Sequence, residues 1–257
     1  MNSGHATLDS VRAVLSSDFR LPSNLRYAMW GYSGGTFGTE YAAELQVQYA
    51  PELNFSGVAI GGVLPNLTTG ITQYNGQPFA GLIPLTFVGL STQFPAVKDF
   101  LDENLHPSGL YNKTTFMSVQ KISNADALEI FYNQNISNYF IGGLSDYLPF
   151  FQTILNHEGQ MGYHGVPQMP LYVYKAIQDE LSPIAQTDAL VDRFCGIGVN
   201  ILYQRNTVGG HFAEAVNGDA AAFEWLIGVL EGTHAETYIT SGCTVRNVTV
   251  AIDPSST

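Results

Sequence analysis

Short apolar runs alternate with helical repeats at both ends of the chain. Four apolar runs, at 27–30, 57–62, 171–176 and 199–203, have the length and composition of strands buried in a parallel sheet. Around them, apolar residues recur at helical spacing. These helical segments cover residues 7–15, 36–49, 186–195 and 220–230. Strands that alternate with helices in this way predict an α/β fold.

The middle of the chain lacks this alternation. From residue 64 to 166, prolines, aromatic residues and short helix-like pieces such as 97–105 and 125–133 take its place. We therefore expect a mainly helical cap inserted between two segments of one core. The predicted organisation is an N-terminal core segment at 1–63, the cap at 64–166 and a C-terminal core segment at 167–257. Within the C-terminal core segment, we expect the Thr- and Ser-rich tail after residue 232 to be irregular.

Composition and charge narrow the range of partners. The 257 residues are enough for one large domain with a substantial core. The chain has 22 acidic and 10 basic residues, so its net charge is −12 at pH 7. Nucleic acids and anionic membrane surfaces bind clustered Lys and Arg, so this balance argues against both as partners. The longest apolar stretch, 78–90, is too short to span a bilayer.

A candidate nucleophile lies between the first predicted strand and its helix. Residues 31–35 read Gly-Tyr-Ser-Gly-Gly, which matches the G-x-S-x-G turn that exposes a nucleophilic serine. The start of the following helix directs free N–H groups and the positive end of its dipole toward Ser33. We therefore predict Ser33 as nucleophile and the backbone N–H of Gly34 as an oxyanion donor. The alternative is a plain glycine-rich turn.

A base and an acid follow in the order that such serine hydrolases use, Ser then Asp then His. Asp179 comes just after the strand at 171–176. His211 lies in the predicted loop after the strand at 199–203, where two preceding glycines let the chain bend toward the site. A histidine takes the serine proton, and a carboxylate orients that histidine. The predicted triad is therefore Ser33, Asp179 and His211.

Other acids and histidines compete for these roles. Glu180 could be the acid in place of Asp179, whereas Asp188 and Asp192 lie inside a predicted helix and are weaker candidates. His157 and His164 fall in the predicted cap. The chain has no H-x-x-x-H, H-E-x-x-H, C-x-x-C or phosphate-loop motif, so we predict neither a metal nor another cofactor.

Cysteines and sequons suggest an oxidising compartment. Cys195 and Cys243 would form a disulfide worth about 4 kcal/mol in the chain-entropy model, although two buried free thiols are the alternative. Five N-x-S/T sequons fit secretion and glycosylation. They lie at Asn54, Asn66, Asn112, Asn135 and Asn247. The first residues have neither the basic nor the apolar region of a signal peptide, which conflicts with that pattern.

Four stretches resemble one known family. They are 31–35, the Tyr-Ala-Pro-Glu-Leu-Asn at 49–54, the Gly-Gln-Pro-Phe-Ala-Gly at 76–81, and the Ala-Ile-Gln-Asp-Glu at 176–180. With these motifs the chain resembles the fungal secreted lipases of the lipase A family, which are α/β-hydrolases. The likeness extends over nearly the whole chain and is weakest in the cap and the tail.

This resemblance implies a function as well as a fold. It assigns the triad to Ser33, Asp179 and His211, and it implies triacylglycerol hydrolysis in lipid catabolism, secretion, and a lipid ester substrate met at a lipid–water interface. It also implies a mainly helical cap with a lid over an acyl-binding pocket. Residues 79–90 and 144–155 would then line or cover that pocket, or would form the core of the cap itself.

The front of the chain departs from the family pattern. A complete fold of this type has several strands before the nucleophile, and one of their loops gives a second oxyanion donor. Only one predicted helix and one predicted strand precede Ser33. We therefore expect that N-terminal strands are missing from a truncated sequence, and that residues 1–30 supply no second donor. Loss of one such donor slows catalysis by about 100- to 1,000-fold.

Three functions are consistent with the sequence. The first is a serine carboxylic-ester hydrolase of the triacylglycerol lipase type. The second is a catalytically impaired remnant that at most binds lipid through the cap. The third is a serine peptidase on the same scaffold, which would cleave amides without preferring micellar esters.

Overall fold

The computed structural model describes residues 1–252. These residues form two compact units. One unit combines Met1–Asn66 with the described residues from Gln160 onward, and the other is Leu67–Gly159. The first contains the whole β-sheet of the described chain, and the second is mainly helical. The division of the chain into a core segment at 1–63, a cap at 64–166 and a core segment at 167–257 stays a prediction.

In the described part of the chain, the sheet of the first unit has five parallel strands in sequence order. They are β1 (Met29–Tyr32), β2 (Val58–Gly61), β3 (Leu171–Ala176), β4 (Ile201–Asn206) and β5 (Cys243–Val248). Because all five run the same way, their carboxyl ends lie at one edge, where α/β proteins build their sites. β1 and β5 are the outer strands of this sheet.

Within residues 1–252, twelve α-helices surround the sheet or build the second unit. They are α1 (Asn2–Leu15), α2 (Thr36–Tyr49), α3 (Leu67–Tyr74), α4 (Leu82–Ser91), α5 (Pro95–Asn104), α6 (Lys113–Met117), α7 (Asn124–Ile130), α8 (Leu148–Glu158), α9 (Ile184–Gly196), α10 (His211–Asn217), α11 (Asp219–Glu231) and α12 (His234–Thr237). Among the described residues, none of these helices has both the length and the apolar character needed to cross a bilayer.

The inner strands β2 and β3 are buried on both faces of the sheet, and side chains alternate between the two faces along each strand. Val173 packs in a cluster with residues of α1, α2 and α9. Its neighbours Tyr172 and Tyr174 join Trp225 of α11 on the opposite face. This double burial explains why β2 and β3 read as continuous apolar runs rather than as alternating ones.

Aromatic packing holds the helical unit together. Phe87 of α4 lies 4.4 Å from Phe151 of α8 between ring centroids, and Phe100 of α5 lies 4.8 Å from Phe151. A capping box begins α7, where the side chains of Ser123 and Asp126 each bond the other's backbone N–H. The helix-like pieces expected at 97–105 and 125–133 correspond to α5 and α7.

The tail after residue 232 is where the sequence prediction was least accurate. It contains α12 and β5 instead of irregular chain. β5 pairs with β4 over its whole length, from Ile201 beside Cys243 to Asn206 beside Val248. Its side chains are largely exposed, so the strand lacks the apolar run that marks the inner strands. The predicted disulfide between Cys195 and Cys243 is confirmed, and it links α9 to β5.

Candidate active site

Ser33 occupies a sharp turn between β1 and α2. A short 3₁₀ turn over Ser33–Gly35 connects the strand to the helix. The φ angle of Ser33 is +52°, a left-handed conformation that few residues other than glycine adopt. A side chain at Gly31 would place its Cβ 2.7 Å from the Gly35 carbonyl oxygen, so the close return of the chain requires glycine there. The backbone thus presents the Ser33 hydroxyl at the carboxyl end of β1.

The three predicted triad residues form one hydrogen-bonded chain. Nε2 of His211 lies 2.8 Å from Oγ of Ser33, and Nδ1 of the same ring lies 2.8 Å from Oδ2 of Asp179. Asp179 follows β3, and His211 is the first residue of α10 rather than a loop residue. The prediction of a loop there was wrong, because α10 begins at once after the turn at 207–210.

Asp179 is buried and receives four donors. Oδ1 accepts the backbone N–H groups of Leu181 and Ser182 at 2.9 and 2.8 Å. Oδ2 accepts from Nζ of Lys175 at 2.9 Å in addition to His211. Burial by itself raises the pKa of Asp179, but the hydrogen bond from His211 and the charge of Lys175 outweigh it. The pKa therefore lies below its ordinary value, and the group is a carboxylate at neutral pH.

Two further side chains hold the backbone of His211. Oε2 of Glu180 accepts its N–H at 2.7 Å, and the hydroxyl of Tyr32 donates to its carbonyl oxygen at 2.5 Å. Glu180, the alternative acid, therefore contacts the backbone and not the ring nitrogen that Asp179 meets. Asp188 bonds the Tyr203 hydroxyl instead. Sequence reasoning missed the contact from Tyr32, although this residue directly precedes the serine in the motif.

The remaining candidates lie outside this chain of hydrogen bonds. His164 contacts the carbonyl oxygen of Gln160 through Nε2, and His157 lies beside Glu158. Within residues 1–252, no three His, Cys, Asp or Glu side chains cluster as a metal site would require. What the arrangement supplies is an oriented histidine between a serine hydroxyl and a carboxylate, which is the machinery of nucleophilic acyl transfer.

Comparison with known proteins places the chain among lipases and esterases. The model of the secretory lipase family matches residues 1–237. A trichothecene C-3 esterase of Fusarium sporotrichioides is 44% identical over 255 residues, which cover 96% of this chain and 56% of that protein. Lipase A of Arthroderma benhamiae is 38% identical over 251 residues, with coverages of 95% and 51%.

A solved structure is similar as well. The closed state of Candida antarctica lipase A matches with a TM-score of 0.80 and 27% sequence identity. The match covers 90% of this chain and 54% of that lipase. The chain thus spans about half the length of the curated relatives it matches.

Proposed function

Since the chain belongs to the secretory lipase family, we propose that the protein hydrolyses carboxylic esters of lipids with Ser33 as its nucleophile. The family and the α/β-hydrolase fold that the short motifs predicted are both confirmed. Because the chain covers only about half of its relatives, the activity of the whole protein belongs to the proposal. The observation that carries it is the hydrogen-bonded series Ser33, His211, Asp179.

The first half of the reaction forms an acyl-enzyme. Oγ of Ser33 attacks the ester carbonyl carbon while Nε2 of His211 takes the hydroxyl proton. The carbonyl electron pair moves to oxygen, where the N–H of Gly34 and the positive end of α2 stabilise the oxyanion. Asp179 stabilises the imidazolium and holds its Nδ1 proton. His211 then gives its Nε2 proton to the leaving alcohol oxygen, and the carbon–oxygen bond breaks.

The second half returns the serine. A water molecule loses a proton to Nε2 of His211 and attacks the acyl carbon. When the resulting tetrahedral intermediate collapses, the proton passes from His211 to Oγ of Ser33 and the carboxylic acid leaves. The complete cycle consumes one ester and one water molecule, so it needs no redox partner or other external group.

Replacing the nucleophile tests the proposal. Ser33→Ala should lower ester hydrolysis by at least about 1,000-fold and abolish covalent labelling by a fluorophosphonate. Ser91→Ala is the matched control, since Ser91 is a buried serine of α4 whose hydroxyl bonds the Val88 carbonyl. It should retain both properties. Equal hydrolysis by wild type and Ser33→Ala would refute the assignment, and a wild type that binds lipid without labelling would favour a non-catalytic role.

A second candidate substrate class is favoured by two relatives. The trichothecene C-3 esterase is 44% identical, and a probable trichothecene esterase of Stachybotrys chartarum is 38% identical over 251 residues. A trichothecene ester therefore competes with triacylglycerol as the substrate. Comparing kcat/KM for a triacylglycerol emulsion with that for a trichothecene C-3 ester decides between them, and faster cleavage of a matched anilide than of either ester would indicate a peptidase.

We also propose that the protein is secreted and N-glycosylated. The Cys195–Cys243 disulfide supports this, because disulfides persist in oxidising compartments. Of the sequon residues, Asn54, Asn135 and Asn247 are exposed. Protein recovered from the medium of the natural host should lose mass when an endoglycosidase removes N-linked glycans. Recovery from the cells alone, without such a loss, would contradict the proposal.

A further inference from the structure

Lys175 is the one charged residue of β3, and its side chain is fully buried. Lysine is almost never fully buried unless it is paired. Here Nζ lies 2.9 Å from Oδ2 of Asp179 and 2.9 Å from the carbonyl oxygen of Val63. The ammonium therefore connects the turn after β3 with the segment after β2, at the carboxyl edge of the sheet.

The lysine and the histidine share one oxygen. Oδ2 of Asp179 accepts from Nζ of Lys175 and lies 2.8 Å from Nδ1 of His211, while two backbone N–H groups occupy Oδ1. Four donors on two oxygens leave the carboxylate a single orientation. The lysine is the member of this set that also brings a full positive charge.

We propose that Lys175 is a positioning residue that fixes the Asp179 carboxylate toward His211 and keeps it ionised during catalysis. The inference rests on the proposed function, in which Asp179 orients the catalytic histidine. Lys175 itself touches neither the substrate position at Ser33 nor the reacting atoms. Its proposed effect on catalysis passes through Asp179.

The surrounding charges explain why a cation is needed. Acids interact with this pair from three elements. The charges of Glu180, in the turn after β3, and of Asp188, on α9, act on Lys175. Glu214 of α10 interacts with Asp179. Tyr32 of β1 lies against the His211 ring, with 5.3 Å between ring centroids. Without Lys175, a buried carboxylate would face other acids, so its proton would be retained to higher pH. A protonated Asp179 no longer holds His211 in the reactive tautomer.

The test compares variants that separate charge from hydrogen bonding. Lys175→Met removes both, whereas Lys175→Gln removes the charge and keeps a donor. Lys98→Met is the matched control, because it deletes the same charge from an exposed ion pair with Asp102 on α5. The measurement is kcat and KM for a chromogenic ester across about pH 3 to 9, a range that reaches below the ordinary pKa of an aspartic acid, about 3.9.

Lys175→Met should lower kcat by about 10- to 100-fold with little change in KM, as expected for a residue that orients a catalytic group. The acid limb of its pH profile, where kcat falls as the pH decreases, should move to a pH about one unit higher. Lys175→Gln should lose less of kcat and show the same movement of the limb. Lys98→Met should match wild type in both. A merely structural role would lower the amount of active protein without moving the limb.

Two outcomes would overturn the inference. The first is a folded Lys175→Met or Lys175→Gln whose acid limb coincides with that of wild type. The second is failure of both variants to fold, which would make Lys175 a folding residue. Fluorophosphonate labelling of wild type keeps the two proposals apart. An unlabelled wild type refutes the proposed function, whereas a labelled wild type with unmoved variant profiles refutes only the role of Lys175.

Discussion

Asp179 and Glu40 are both buried carboxyl groups of the sheet-containing unit, and their surroundings are opposite. Asp179 has four hydrogen-bond donors and the charge of Lys175. Glu40, on α2, is 1% exposed, and among the described residues no donor serves either of its side-chain oxygens. The charged group nearest to it along the helix is another carboxylate, Glu44, one turn further on.

This difference shifts the pKa values of the two groups in opposite directions. The pKa of Asp179 lies below its ordinary value. Burial raises the pKa of Glu40 well above its own, and the neighbouring Glu44 adds to the effect. Glu40 therefore keeps its proton to a higher pH than an ordinary glutamic acid does. The comparison teaches that donors, rather than depth of burial, determine whether an acid of this fold can serve as the anion of a triad.

Glu214 of α10 stands between these extremes. It is buried, and Nδ2 of Asn206 donates to its Oε2 at 2.7 Å. Burial raises its pKa to about 7, although the hydrogen bond from Asn206 opposes the rise. With this one donor, the pKa of Glu214 stays above its ordinary value, whereas four donors and Lys175 hold the pKa of Asp179 below its own.

The largest effect is expected when Asp179, the carboxylate with four donors, loses its negative charge. Asp179→Asn should lower kcat/KM by about 1,000- to 10,000-fold, because an amide neither stabilises the imidazolium nor selects the correct tautomer. Steady-state hydrolysis of a chromogenic ester measures it. Asp188→Asn, the same change on α9, should leave kcat/KM close to wild type. A loss below tenfold in Asp179→Asn would remove Asp179 from the proposed triad.

Glu44 gives a structural counterpart, because it is an acid of α2 that does receive donors. Its two oxygens accept the backbone N–H groups of Gly162 and His164, each at 2.5 Å. Glu44→Gln replaces one acceptor by a donor and should reduce the free energy of unfolding by about 2 to 3 kcal/mol. Urea unfolding measures this loss. Glu231→Gln, at an exposed position of α11, should be neutral, and equal stability of the two variants would contradict the argument.

Glu214 predicts a pH dependence of stability. Its pKa of about 7 in the folded protein is above the ordinary value, so folding favours the protonated form. This contribution is complete below the ordinary pKa and is lost as the pH rises to about 7, at a cost of about 2 kcal/mol. Urea unfolding at several pH values should show the loss in wild type and a smaller one in Glu214→Gln. Parallel curves would exclude this role for Glu214.

The smallest effect is expected at Glu40. Its raised pKa means that wild type loses stability as the pH rises above the ordinary value of a glutamic acid. Glu40→Gln is neutral at every pH and can donate to Glu44, so it should be about 1 kcal/mol more stable than wild type at pH 8, with little gain at pH 5. Glu224→Gln, an exposed change on α11, should show no such dependence. Destabilisation of Glu40→Gln at pH 8 would mean that Glu40 is charged.

Much of the core could be predicted from the sequence, because burial on both faces leaves a local signal. The apolar run at 171–176 coincides with β3, and the run expected at 27–30 is β1 shifted by two residues. β5 was missed, since an exposed outer strand carries no such run. The start of α10 at His211 was missed because a turn and a helix start have similar local composition.

The sequence by itself determined the α/β class, the motif around Ser33 and the order in which Ser33, Asp179 and His211 follow, because these depend on local spacing. Tertiary structure alone decided that His211 meets Asp179 and not Glu180, and that Lys175 lies against the same oxygen. It also decided that the pKa of Asp179 is lowered while that of Glu40 is raised. The physical reason is that donors and charges from distant segments set each of these outcomes, and only the folded chain brings them within hydrogen-bond distance.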